Sequence, residues 1–167
     1  SADTLATSSP SMDISKASNL ERFVWALLGP EVFVQRWAKL ETTGTLDLRD
    51  QLPRLREEFG FVAGTSTHAD RLEAIRSVKE RSGRLIDPHT ADGVTVALRV
   101  MEPGFPTLVM ETAKAAKFPQ TVAEALGSEP ETPDVVADLL ARPQKVETID
   151  NQEAPLRALI EERALNR

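Results

Sequence analysis

An α/β fold with mostly parallel strands and many helices is what this sequence predicts, and three observations predict it. β-compatible segments alternate with helix-periodic ones along the chain, the order expected of strand–helix units. The clearest β-compatible run, Thr107-Leu108-Val109-Met110-Glu111-Thr112, is mostly apolar, as a strand covered on both faces would be. A helix start, Phe118-Pro119, comes soon after that run, with proline suited to a first turn. Only about four strands stand against about eight helical stretches, few for a self-sufficient doubly wound sheet. The chain is therefore expected to be part of a larger one, a reading its abrupt start in a β-compatible segment also suggests.

Taken in order, Thr4 to Thr7 is a short β-compatible piece that Ser8-Ser9-Pro10-Ser11 ends. Ser18-Asn19-Leu20-Glu21 has the S-x-x-E form of a capping box. Phe23, Val24, Leu27 and Leu28 come next at helical spacing, and Gly29-Pro30 stops them. A second helix is predicted from about Glu31 to Leu40, closed by Thr42-Thr43-Gly44. Leu46 to Phe59 reads as helical, with Pro53 near a start or a break.

Phe61 to Gly64 is again β-compatible. Thr67 is the natural N-cap of the next helix, with Asp70 in its first turn and Gly83 as its stop. Then comes Leu85-Ile86-Asp87-Pro88-His89-Thr90-Ala91-Asp92-Gly93, which reads as a strand-to-helix corner with Thr90 as cap and His89 bracing the turn. Ala91, Val94, Ala97, Leu98 and Met101 form a helical stripe that Pro103-Gly104 ends. After the Thr107–Thr112 run and the Pro119 helix, a Glu/Pro-rich connection spans Gly127 to Pro133. Asp134 to Ala141 is a short helix, Lys145 to Ile149 a plausible last strand, and Ala154 to Leu165 a last amphipathic helix.

Composition narrows the function classes. The 167 residues are enough for one domain with a sizeable core, and 41% hydrophobic with 28% charged residues is an ordinary globular balance. A net charge of -6 without any basic run disfavours nucleic acid and anionic membranes as partners. Absence of cysteine removes disulfides and thiolate chemistry, and fits a cytoplasmic enzyme. No apolar run approaches the roughly 20 residues a membrane helix needs, and no signal-peptide pattern is expected at the start.

Few residues offer chemistry. His68 and His89 are the only imidazoles, and neither H-x-x-x-H nor H-E-x-x-H spacing occurs, so no metal site is predicted. There is no G-x-S-x-G elbow, Walker loop or G-x-G-x-x-G. The segment Thr112-Ala113-Lys114-Ala115-Ala116-Lys117-Phe118 lies just past the best strand, where open α/β sheets hold ligands. Its hydroxyl and two ammonium groups beside a helix start suit an anion such as phosphate. A polar loop with solvated lysines is the alternative.

Five motifs occur in series: Ser9-Pro10-Ser11-Met12-Asp13-Ile14; Ser18-Asn19-Leu20-Glu21-Arg22; Thr67-His68-Ala69-Asp70; Ile86-Asp87-Pro88-His89-Thr90-Ala91-Asp92-Gly93; and Thr112-Ala113 with Ala116-Lys117-Phe118. Together they resemble the C-terminal portion of threonine synthases of the longer type shared by bacteria and fungi. The likeness runs from about Thr7 to the end of the chain. It implies a pyridoxal 5'-phosphate (PLP) enzyme of fold type II, the fold of the tryptophan synthase β subunit. The implied reaction converts O-phospho-L-homoserine and water to L-threonine and phosphate.

In that family the Schiff-base lysine and the cofactor-phosphate cup lie upstream. None of Lys16, Lys39, Lys79, Lys114, Lys117 and Lys145 sits in the family's lysine motif. The resemblance therefore implies no catalytic residue here, inactivity of the chain alone, and dependence on an N-terminal part. It places the hydroxyl of Thr112 near the pyridine nitrogen of the cofactor. It puts Lys117 on the anionic side of the site, with Asp13, Ser18 and Asn19 in a stretch near the cleft. Where the family commonly has His-Pro after Thr-Ala, this sequence has Lys114-Ala115. Residues from about 31 to 59 match least and are expected to be a helical insertion. A non-catalytic α/β binding or assembly module, or a related PLP enzyme with another amino-acid substrate, are the alternatives.

Overall fold

The computed structural model describes residues 4–14 and 16–165, and it divides into two compact units, 1–131 and 132–167. Eight α-helices are present among the described residues: α1 (Ser18–Leu28), α2 (Pro30–Thr43), α3 (Leu52–Glu57), α4 (His68–Ser82), α5 (Pro88–Val100), α6 (Pro119–Leu126), α7 (Asp134–Ala141) and α8 (Glu153–Leu165).

Their ends are set by local chemistry. Gly29, at φ 75°, ends α1, and Pro30 opens α2, using the glycine's left-handed freedom and the proline's fixed φ. Thr67 caps α4 and forms a capping box with Asp70, whose carboxyl accepts from the Thr67 backbone N–H at 2.8 Å. That bond first, and then the Thr67 hydroxyl, holds Asp70 below the usual carboxylate range. Gly83 and Gly127 close α4 and α6 in the left-handed conformation.

The core of the first unit lies between α4, α5 and α6. Ala74 and Ile75 of α4 meet Ile86, Ala91 of α5 and Ala125 of α6, with Leu72, Val78, Leu85, Val94 and Leu126 packed around them. Ile75 is fully buried, so Ile75→Val leaves a methyl-sized void at the centre of this cluster. A loss of about 1 kcal/mol is expected, read as a lower urea midpoint with an unchanged m-value. A second cluster joins α1 to α3 and the segment just after it. Phe23 meets Phe59 edge-on at 5.3 Å and Phe61 at 4.7 Å, while Arg54 Nη1 donates to the Leu27 carbonyl at 2.9 Å. In the second unit, Arg157 pairs with Glu153 at 2.7 Å, and Arg163 with Glu147.

The expected mostly parallel strands are not there: no strand occurs among the described residues. Thr4–Thr7, Phe61–Gly64, Thr107–Thr112 and Lys145–Ile149 take non-helical paths that are not strands. A strand exists only as one side of a hydrogen-bonded pair, and no second side is supplied here. The apolar run that suggested a strand covered on both faces is instead open, with Leu108 88% and Met110 76% exposed.

Three further expectations change. Helix α1 begins at Ser18 itself, with Ala17 as its N-cap, and the Ser18–Glu21 capping box does not form. The Leu46–Phe59 stretch is helical only in a 3-10 turn at Arg49–Gln51 and in α3. Ahead of it, Asp47 accepts from the Arg49 N–H at 3.0 Å, a local bond that competes with helix formation. The cap of α5 is Asp87, not Thr90, because Pro88 occupies the first helical position.

Candidate functional site

The corner at the start of α5 is built on Asp87, which is fully buried. Its Oδ1 accepts from the His89 N–H at 2.9 Å and from His89 Nδ1 at 2.7 Å, and its Oδ2 accepts from the Thr90 hydroxyl. The far nitrogen of the same imidazole, Nε2, accepts from the Ser11 N–H at 2.9 Å. Both ring bonds are made at once by a neutral imidazole that carries its proton on Nδ1. Phe118 stands edge-on to the His89 ring at 4.6 Å. His89 thus joins three remote parts of the chain: residues near 11, the start of α5, and the turn before α6. Each part belongs to one of the sequence motifs.

Asp13 closes the first of these parts on itself. Its carboxylate accepts from the Thr7 N–H at 2.7 Å and the Thr7 hydroxyl at 2.8 Å. Asn19 sits exposed in the first turn of α1, where its Oδ1 accepts from the Leu20 N–H at 2.8 Å. The two share no direct bond.

The segment before α6 lies against α5. A Cβ added at Gly93 would meet Val109 Cγ1 at 3.0 Å, so the small residue admits the close approach. Thr112 and Lys117 are both exposed beyond that contact. Among the described residues, neither the Thr112 hydroxyl nor the Lys117 ammonium has a hydrogen-bond or ion-pair partner. Lys114, by contrast, pairs with Glu111 at 2.8 Å.

Sequence reasoning missed a second buried polar group. Arg71, 7% exposed, donates from Nε to Asp92 at 2.7 Å and from Nη1 to the Ser8 hydroxyl at 3.1 Å. His68, half exposed, joins Ser8 through Nδ1 at 2.7 Å to Glu124 through Nε2 at 2.9 Å. These contacts fasten the segment before Asp13 onto α4, α5 and α6. No local pattern signals them, because the partners lie far apart in sequence. Asp87 could have been found, since Asp followed by Pro is a cap-and-first-turn pattern. No group of three or more potential metal ligands occurs among the described residues.

Residues 90–160 match the family model described as "Threonine synthase, C-terminal". Threonine synthase of Methylobacillus glycogenes is 46% identical over 165 residues, a match covering 97% of this chain and 35% of that protein. The chain belongs to the threonine synthase family. Threonine synthase of Corynebacterium glutamicum is 45% identical over 156 residues, covering 90% of the chain and 32% of that protein. The chain thus spans about a third of the length of the threonine synthases it matches, and it corresponds to a C-terminal portion. Among solved structures, the PLP-bound threonine synthase from Brucella melitensis superposes with a TM-score of 0.81 at 34% identity, covering 96% of this chain and 34% of that one. The yeast threonine synthase, at 24% identity and a TM-score of 0.82, shares the fold.

Proposed function

We propose that this chain is the C-terminal portion of a PLP-dependent carbon–oxygen lyase that converts O-phospho-L-homoserine and water to L-threonine and phosphate in the cytoplasm. The observation that carries the reading is the pair of uncommitted polar groups, Thr112 and Lys117, exposed on one segment of a chain whose relatives are threonine synthases. When bound, PLP supplies an electron sink for bond changes next to the amino group of the substrate.

This chain's residues fit one edge of that cofactor. A neutral hydroxyl such as that of Thr112 hydrogen-bonds a pyridine nitrogen without forcing a proton onto it, as a carboxylate would. The Lys117 ammonium favours an anion on the same side. Asp13 and Asn19 hold local turns near that cleft, and neither transfers a proton. His89, with both nitrogens engaged and its ring against Phe118, positions the 115–118 turn and acts on no substrate atom.

The remaining partner is the upstream part of the same enzyme. Leu108, Met110, Phe105 (70% exposed) and Val146 (76% exposed) lie on non-helical segments, each an apolar surface that the upstream part would cover. The stretch from about 31 to 59 is a helical insertion of this subfamily. No helix among the described residues is long and apolar enough to cross a membrane.

Release of inorganic phosphate from O-phospho-L-homoserine, with threonine as co-product, tests the reading. The longer enzyme containing this chain is expected to release both in equal amounts, and the chain alone neither. Phosphate release without threonine would assign a different substrate or reaction.

A further inference from the structure

Away from Thr112, the loop between α2 and α3 folds back and borders an open cleft of about 740 Å³. Arg36, Lys39, Thr45, Asp47, Arg49 and Asp50 line it. Two of its cations are already matched. Arg36 grips both oxygens of Asp50, at 2.7 and 2.6 Å, and also donates to the Asp47 carbonyl at 3.1 Å. Arg49 binds Asp47 through Nε at 3.0 Å and Nη2 at 2.6 Å. Those bonds hold the Asp47 carboxyl down at about 2, so the acid is ionised at neutral pH.

Lys39 is different. It is exposed and lines the cleft, and its ammonium has no hydrogen-bond or ion-pair partner among the described residues. Arg49 Nη1 is likewise uncommitted, since its bonds run through Nε and Nη2. The cleft therefore carries one positive charge in excess. Its walls are fixed by the Arg36–Asp50 fork, because a bidentate pair sets orientation as well as distance. Its volume lies in the range of small-molecule sites, roughly 300–1,000 Å³.

We propose that this cleft binds a small anionic metabolite, whose phosphate or carboxylate group sits between Lys39 Nζ and Arg49 Nη1. An oxyanion there would meet two donors that no group among the described residues occupies, beside two ion pairs that need not break. The site lies on residues apart from Thr112 and Lys117, and it does not depend on the reaction proposed above.

Calorimetric titration of the longer enzyme containing this chain, saturated with PLP and held at constant ionic strength, tests this. The probes are inorganic phosphate, glycerol 3-phosphate and succinate. Apart from any binding at the Lys117 side, which Lys117→Ala removes, a saturable event is expected that weakens at least tenfold in Lys39→Ala/Arg49→Ala and persists in Lys117→Ala. Lys39→Ala alone breaks no ion pair among the described residues. It is the second variant, expected to weaken binding without moving the melting temperature. Binding of the two phosphates without succinate assigns a phosphate group, and the reverse a carboxylate. No saturable binding of any probe, or binding unchanged in the double variant, overturns the proposal. Because the readout is heat of binding rather than turnover, its failure is separate from failure of the threonine synthase reading.

Discussion

Replacing Asp87 with alanine is expected to lower stability by about 3–5 kcal/mol, the largest effect of any single substitution proposed for this chain. Three donors lose their acceptor at once: the His89 N–H, His89 Nδ1–H and the Thr90 hydroxyl, all on buried residues. Water cannot replace the carboxylate without opening the corner, and the α5 cap is lost as well. The effect spreads because His89 also accepts from Ser11 and packs on Phe118. Asp87→Asn is milder, at about 1–2 kcal/mol, since its oxygen still serves His89 and the Thr90 hydroxyl can turn to accept from the amide. Urea unfolding of the two variants checks this. Equal losses in both would show that the charge, and not the number of acceptors, holds the corner.

Thr112→Val in the longer enzyme has a different signature. Valine keeps the shape and removes only the hydroxyl. Thr112 is exposed and its hydroxyl has no partner among the described residues, so stability should move by no more than about 0.5 kcal/mol. Turnover should fall roughly tenfold, the factor that about 1.4 kcal/mol of lost transition-state stabilisation produces. The absorbance of the bound cofactor should shift as well, because the hydroxyl is proposed to touch its ring. A variant with unchanged turnover and an unchanged spectrum would remove Thr112 from the cofactor site.

The two substitutions separate motif residues that build the corner from those proposed to meet the cofactor. Asp87, His89 and Thr90 are committed to one another, with no donor or acceptor turned to a ligand. The Thr112 hydroxyl and the Lys117 ammonium have no partner among the described residues. In sequence the first group looks the more reactive, because acid, imidazole and hydroxyl stand together. Burial and bonding reverse that order.

Much of the helical architecture was legible because its signals are local. Gly29-Pro30, Thr67 with Asp70, Gly83, Pro119 and Gly127 each mark a helix end by their own backbone or side-chain chemistry. Strands were not legible in the same way. The Thr107–Thr112 run reads as a strand covered on both faces, but the pattern says nothing of where a pairing neighbour comes from. In this chain no strand forms there, and Leu108 and Met110 are exposed. The Ser18 box failed for a smaller reason, since the helix starts one residue earlier than the box requires and Asn19 turns to its own neighbour's N–H. Arg71 was out of reach because its partners at Ser8 and Asp92 meet only after α4 and α5 pack. The family resemblance rested on short motifs, and the structure draws three of them together around His89.

The central claim, that this chain is one portion of a PLP enzyme and contributes an edge of the cofactor site without its anchoring lysine, is most directly tested by borohydride trapping. The chain alone and the longer enzyme are each incubated with PLP, reduced, and mapped by peptide mass spectrometry. The account predicts a single stoichiometric lysine adduct in the longer enzyme, outside this chain, and none in the chain alone. A stoichiometric single-site adduct on Lys114 or Lys117 would contradict it.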